Sequence, residues 1–167
     1  MKIIGHRGAR GLATENTLEA IRKALDLHVD EVEFDIRVTK DNVPVLAHDS
    51  VIHAGTVPYS IKDHNFAELK KLYPQLATLD EALKLIGTTA RVYVEVKRDE
   101  PVEPIIEVLK KYIGNSHHTE KYLLFGSRSQ ETLRALHSAF PEVELVIIEI
   151  WSSVRLGEGP ASSAPNA

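Results

Sequence analysis

The 167-residue chain contains no cysteine, so a disulfide framework and a thiolate metal site are both closed to it, in keeping with a cytosolic setting. Long apolar runs are missing as well. Nothing approaches the roughly 18 uninterrupted apolar residues of a membrane helix, so no transmembrane segment is expected. The opening MKIIGHRGARG reaches only from Lys2 to Gly5 before two arginines intervene, and it lacks the apolar core of a signal peptide. Positive charge is in short supply: 20 Lys and Arg stand against 24 Asp and Glu, for a net charge of −4. That leaves no basic patch for nucleic acid, and no such partner is expected. What remains, 43% apolar and 26% charged residues, is ordinary for a soluble globular protein. The length suits one domain with a real core, or a part of a larger one. A soluble cytoplasmic protein is expected.

The stretch Glu31–Asp49, EVEFDIRVTKDNVPVLAHD, organises the rest. In an extended strand residues i and i+2 share a face, so Glu33 and Asp35 aim two carboxylates at one place. Val32, Phe34, Ile36 and Val38 turn the other way and read as core. Two like charges side by side in a half-buried strand are costly unless compensated. A divalent cation is the simplest compensator, because hard cations take carboxylate oxygens.

Along the chain, Lys2–Gly5 reads as a short buried strand with His6-Arg7-Gly8 in the loop at its end. Asn16 with Glu19 has the spacing of a capping box, and a helix is expected over about Thr17–His28. Val29–Val38 and Val43–His48 are the next two strands. The link Thr39–Asn42 is far shorter than the dozen or so residues of a helical crossover, so these strands meet through a hairpin-like turn. Centred on Asp41-Asn42, that turn sets His48 opposite Asp35. Residues 50–73 have mixed character, with a weak helical pattern over Phe66, Leu69 and Leu72, and read as an excursion above the strand ends. Helices follow from Thr78 to the stop at Gly87, over Val102–Ile113 and over Gln130–Phe140. Strands follow over Arg91–Lys97, Lys121–Gly126 and Glu142–Ile150. Strands alternating with helices indicate parallel β/α units. The fold class expected is α/β, a TIM-type β/α barrel, incomplete at about six of eight strands and lacking a helix between strands 2 and 3. Residues 152–167, rich in Ser, Pro, Ala and Gly, read as a disordered tail.

Four ionisable clusters stand at predicted strand ends: His6-Arg7, Glu33/Asp35, His48-Asp49 and Glu95/Lys97. In β/α barrels the site is built at the C-terminal ends of the strands. Taken singly, each cluster has a plainer reading. Glu33 and Asp35 also suit a solvated edge strand, Glu95 and Lys97 a structural ion pair, His6 a polar loop, and His48-Asp49 a turn. The joint pattern is what points to a site. His28, His53, His64, His117, His118 and His137 read as surface residues.

HRG at 6–8, ENT at 15–17, E-x-D at 33–35, T-x-D at 39–41, HD at 48–49, TLDEAL at 78–83 and E-x-K at 95–97 together resemble the glycerophosphodiester phosphodiesterase family. They come in its order and near its spacing, over roughly Met1–Ile150. Thr14 stands where the family's PENT motif has proline. The resemblance implies one such domain over 1–151, C-terminally truncated, with a small insertion around 50–73. It implies Glu33, Asp35 and Glu95 as ligands of a divalent cation, Mg²⁺ or Ca²⁺. It implies His6 and His48 as the acid–base pair, Arg7 and Lys97 on the phosphate, and Asn16 and Asp49 orienting the groups around them. The reaction implied is hydrolysis of a glycerophosphodiester, a small-molecule substrate, to glycerol 3-phosphate and an alcohol. Two alternatives stand beside it: a phosphodiesterase of the lysophospholipase D type, and a catalytically impaired barrel that only binds metal or ligand.

Overall fold

The computed structural model describes residues 1–115 and 120–148. Its elements are β1 (Ile4–Gly5), α1 (Leu18–Asp26), β2 (Glu31–Val38), β3 (Pro44–Leu46), β4 (Val51–Ala54), β5 (Val57–Ser60), α2 (Phe66–Leu72), α3 (Leu79–Ile86), β6 (Arg91–Val96), α4 (Glu103–Asn115), β7 (Leu123–Ser127), α5 (Gln130–Ala139) and β8 (Glu144–Ile147). The main sheet runs β1-β2-β6-β7-β8 with every neighbouring pair parallel, and β3 adds to β2 antiparallel. The expected α/β alternation and the missing helix between the second and third strands are both present. Residues 149–167, including the tail, and His117 and His118 lie outside the described residues.

Strand alternation divides the sheet chemically. Val32, Phe34, Ile36 and Val38 of β2, with Val92, Val94 and Val96 of β6, are buried against the helices α1, α3 and α4. Each such side chain stabilises the fold by about 1.5–3 kcal/mol through burial. The opposite face of β2 carries Glu31, Glu33, Asp35 and Arg37. That face holds the site. Helix α3 begins at a capping box, Thr78 with Glu81, and stops at Gly87 in a left-handed conformation.

The edge of β2 away from β6 is shared and leaves a gap. β1 covers only Glu31 and Val32, and β3 covers Ile36–Val38. The backbone groups between them are met from loops: Gly8 N–H donates to the Glu33 carbonyl (2.9 Å), the Asp35 N–H to Asn16 Oδ1 (3.0 Å), and the Ala47 N–H to the Asp35 carbonyl (3.1 Å). Because buried backbone groups must be paired, this gap draws the β1–α1 loop and the β3–β4 loop onto the two carboxylate-bearing residues.

Two expectations are corrected here. The β2–β3 turn spans three residues between the paired Thr39 and Val43, whose N–H and carbonyl meet at 3.1 Å. Asn42 takes the left-handed conformation that closes such a turn. The register is therefore Ile36↔Leu46, and Ala47, rather than His48, lies across from Asp35. The cap of α1 is Thr17, which accepts from the Ala20 N–H, so Asn16 is released to bond Asp35. The 50–73 excursion contains a β4–β5 hairpin turned at Gly55 and then α2, over a second small core of Val45, Ile52, Ile61, Leu69 and Leu76.

Candidate active site

Asp35 and Glu95 are register partners on adjacent parallel strands, and Glu33 lies one pleat before Asp35. One carboxylate oxygen from each of the three falls within 4.8 Å of the others. Glu33 is 4% and Asp35 1% exposed, so the charges must be met locally. Asp35 is well supplied, accepting from Lys97 Nζ (2.5 Å) and Asn16 Nδ2 (2.8 Å) with Arg7 Nε at 3.3 Å. Burial alone would raise its pKa, but those bonds and cations outweigh it and hold the carboxyl below its usual range. Lys97 also pairs with Glu95.

Glu33 is supplied poorly. It takes the Arg7 backbone N–H at 2.7 Å, His6 Nε2 stands 3.7 Å away, and its buried Oε1 has no hydrogen-bond partner among the described residues. Burial chiefly, with the charges of Asp35 and Glu95, pushes its pKa up to about 7 against the Arg7 bond. His6 is shifted the other way: burial first, then the charges of Arg10 and Arg7, lower its pKa and favour the neutral imidazole.

The β1–α1 loop that brings these groups in is tightly wound. Arg7 and Asn16 both have positive φ, a conformation uncommon outside glycine and often found at functional sites. The Arg7 guanidinium bridges Glu15 (2.7 Å) and Asp35. Gly8 has φ +72, and a Cβ there would lie 2.6 Å from the Ala20 carbonyl carbon of α1. Gly8→Ala is accordingly expected to destabilise the protein by about 3 kcal/mol or more, combining left-handed strain with overpacking against backbone. Chemical denaturation checks it, and a loss below about 1 kcal/mol would show that the loop can rearrange without cost.

His48 follows β3 and lines a cleft of about 220 Å³ together with the polar Glu15, Asn16 and Asp49 and the apolar Leu46, Ile52, Tyr73 and Leu76. Its Nδ1 faces Asp49 Oδ1 at 2.8 Å, which leaves Nε2 free of that contact. His48 is joined to the carboxylates through its neighbours: Ala47 bonds Asp35, and Asn16 of the same cleft bonds it as well. His6, Arg7, Asn16, Glu33, Asp35, Glu95 and Lys97 thus converge directly. His48 and Asp49 stand at the rim.

The three carboxylates fit a divalent cation by their donor chemistry, since an oxygen-only set suits hard ions. The orphaned Glu33 Oε1 is a buried acceptor waiting for a positive partner.

The Glycerophosphoryl diester phosphodiesterase family matches residues 6–154. The chain belongs to that family. A glycerophosphodiester phosphodiesterase of Bacillus subtilis is 29% identical over 168 residues, covering 86% of this chain and 57% of that protein. Among solved structures, a glycerophosphodiester phosphodiesterase of Thermotoga maritima superposes with a TM-score of 0.73 at 29% identity, over 87% of this chain and 61% of that one. A phosphodiesterase of Oleispira antarctica, solved with the product sn-glycerol-3-phosphate, gives a TM-score of 0.73 at 25% identity, over 87% and 64%. The chain thus spans under two thirds of the length of each of these relatives. The structural neighbours are TIM barrels, and the parallel sheet described above is the corresponding part of that barrel wall.

Within this family member, three site residues escaped the reading of the sequence. Arg37 continues the period of two from Glu33 and Asp35 and was legible by that signal. Glu15 lies inside the ENT motif, yet its partner Arg7 is fixed only by the loop's winding. Glu100 had no sequence signal at all.

Proposed function

We propose that this domain hydrolyses glycerophosphodiesters to glycerol 3-phosphate and an alcohol, with a divalent cation, Mg²⁺ or Ca²⁺, held by Glu33, Asp35 and Glu95. The observation that carries the reading is the convergence of those three carboxylates beside His6 and Arg7. A bound cation would neutralise non-bridging phosphate oxygens and stabilise the charge that develops on them. The chain's own residues do the rest. His6 takes the proton of the attacking hydroxyl. Where water attacks, glycerol 3-phosphate forms at once, and where the neighbouring glycerol hydroxyl attacks, the cyclic phosphodiester first formed is opened by water to glycerol 3-phosphate. As the new P–O bond forms and the bond to the alcohol breaks, His48, entering the step as the acid, gives its proton to the departing oxygen. Asp49 orients its ring through Nδ1. Arg7 offers a planar fork to the phosphate and Lys97 a point charge. Asn16 keeps Asp35 in place.

His48→Ala and Glu33→Ala are each expected to remove measurable glycerol 3-phosphate release while leaving far-UV circular dichroism unchanged. Wild-type-like rates in either variant would count against the assignment. A parent protein whose melting responds to Mg²⁺ or Ca²⁺ without any turnover would support a binding-only domain instead.

A second reading, action on lysophospholipids, draws on the apolar wall of the His48 cleft, with Leu46, Ile52, Tyr73 and Leu76. A lysophospholipase D of Rattus norvegicus is 35% identical over 94 residues, covering 53% of this chain and 29% of that protein. Among the described residues no helix is long and apolar enough to cross a membrane. Turnover of glycerophosphocholine against lysophosphatidylcholine decides between the two substrates.

A further inference from the structure

Arg37 ends the ionisable face of β2, two residues beyond Asp35, and by charge and position it invites assignment to the substrate phosphate. Its hydrogen bonds say otherwise. Nε and Nη2 both donate to the backbone carbonyl of His48, at 3.2 and 3.0 Å, and Nη1 donates to Glu100 Oε1 at 2.9 Å. All three guanidinium nitrogens are engaged. Glu100 is itself fixed by the fold. The β2–β6 ladder ends at Ile36↔Val96, with Lys97 N–H donating to the Ile36 carbonyl at 3.3 Å. The next donor on that edge of β2, the Val38 N–H, would have no strand to meet, and Glu100 Oε2 accepts from it at 2.9 Å. The side chains of Arg37 and Glu100 are 19% and 11% exposed, so the pair is largely shielded from water.

We infer that Glu100 and Arg37 form a clamp that positions His48 against the carboxylate cluster. The clamp ties the loop after β6, which carries Lys97, to the loop after β3, which carries His48, and it does so through the end of the strand that carries Glu33 and Asp35. His48 lies at the rim, its side chain 36% exposed, and the fork on its carbonyl fixes its main chain where the ring leaves it. Arg37 and Glu100 are positioning residues, acting through His48 without touching substrate. The catalytic consequence rests on the role proposed above for His48.

The test separates this from a phosphate-binding role and from mere support of the fold. Arg37→Gln is expected to lower kcat by about 10- to 100-fold, the loss that a misplacement of about 1 Å can cause, with KM changed less than about 2-fold. Arg37→Lys should not rescue it, because an ammonium cannot span both loops with a bidentate fork. Glu100→Gln should give a smaller loss in the same parameter, and it carries the test if Arg37→Gln fails to fold. The double variant should be no slower than Arg37→Gln alone, since both act through one clamp. Independently of turnover, the NMR cross-peaks of the His48 ring should broaden or double in Arg37→Gln while those of His28 and His137 stay fixed. An unchanged His48 ring, full kcat in Arg37→Lys, or a loss confined to KM would each overturn the clamp. A parent protein without glycerol 3-phosphate release would sink the proposed activity, and the ring spectra would still decide the clamp.

Discussion

Asp35→Ala is expected to cost about 3 kcal/mol or more of folding stability, the loss typical of breaking a buried ion pair from one side. Asp35 is 1% exposed and receives Lys97, Asn16 and Arg7. Alanine leaves the Lys97 ammonium and the Arg7 guanidinium, both mostly buried, with only Glu95 and Glu15 between them. It also strands the Asn16 amide, whose Oδ1 still holds the backbone at position 35. Glu33→Gln is expected to behave in the opposite sense. The glutamine removes a desolvated charge whose Oε1 has no partner, while its carbonyl can keep the Arg7 N–H bond. At pH 7.5 with EDTA present it should be neutral or stabilising by about 1–2 kcal/mol. Two carboxylates in one cluster therefore differ in what they do for the fold. One is a structural anion, and the other is kept in place at a cost to stability, as functional groups often are. Chemical denaturation of the two variants side by side checks this. Equal losses in both would mean that the cluster acts as one undivided anion.

Much of that cluster was legible from sequence because strands have a period of two. Glu33 and Asp35 had to share a face, and the apolar run Val32, Phe34, Ile36 said which face was core. Glu95 joined the set only through the family resemblance, because strand order and register, which place it beside Asp35, are not written in either strand alone. Loops obey no such period. His48 was misplaced by one residue because a three-residue turn with left-handed Asn42 and a two-residue turn on Asp41-Asn42 use the same side chains. Asn16 and Thr17 are both good caps, and only the unpaired backbone of Asp35 decides that Asn16 serves the strand and Thr17 the helix. The β4–β5 hairpin hid behind Pro58, which is tolerated there because the two-stranded sheet leaves that residue on an edge. The seat of Lys97 on Asp35 and Glu95 was not legible either, since it depends on which partners burial brings within reach.

The stability of the cation-free protein is expected to fall as pH rises from about 5 to about 7.5, and added Mg²⁺ or Ca²⁺ is expected to reverse that fall. Burial pushes the Glu33 pKa up to about 7 from an ordinary value of 4.5. Between those two values the folded protein holds a proton that the unfolded chain has released. Stability therefore drops as pH rises through that window, by at most about 3 kcal/mol from this one group. Asp35 does not cancel it, because its pKa is held below 3.8 and its contribution is lost only as pH falls past that point. A divalent ion at the carboxylates takes over the proton's role as the missing positive partner of Glu33. Binding only the folded state, it adds about 2.7 kcal/mol at a hundred times its Kd, and it should add much less at pH 5, where Glu33 must first lose its proton. Melting curves at pH 5.0 and 7.5, with EDTA and with 10 mM of either ion, separate these effects. Glu33→Gln should flatten both the pH slope and the response to cation. A full pH slope retained in that variant would place the titrating group elsewhere. A cation shift as large at pH 5.0 as at 7.5 would remove Glu33 from the ligand set.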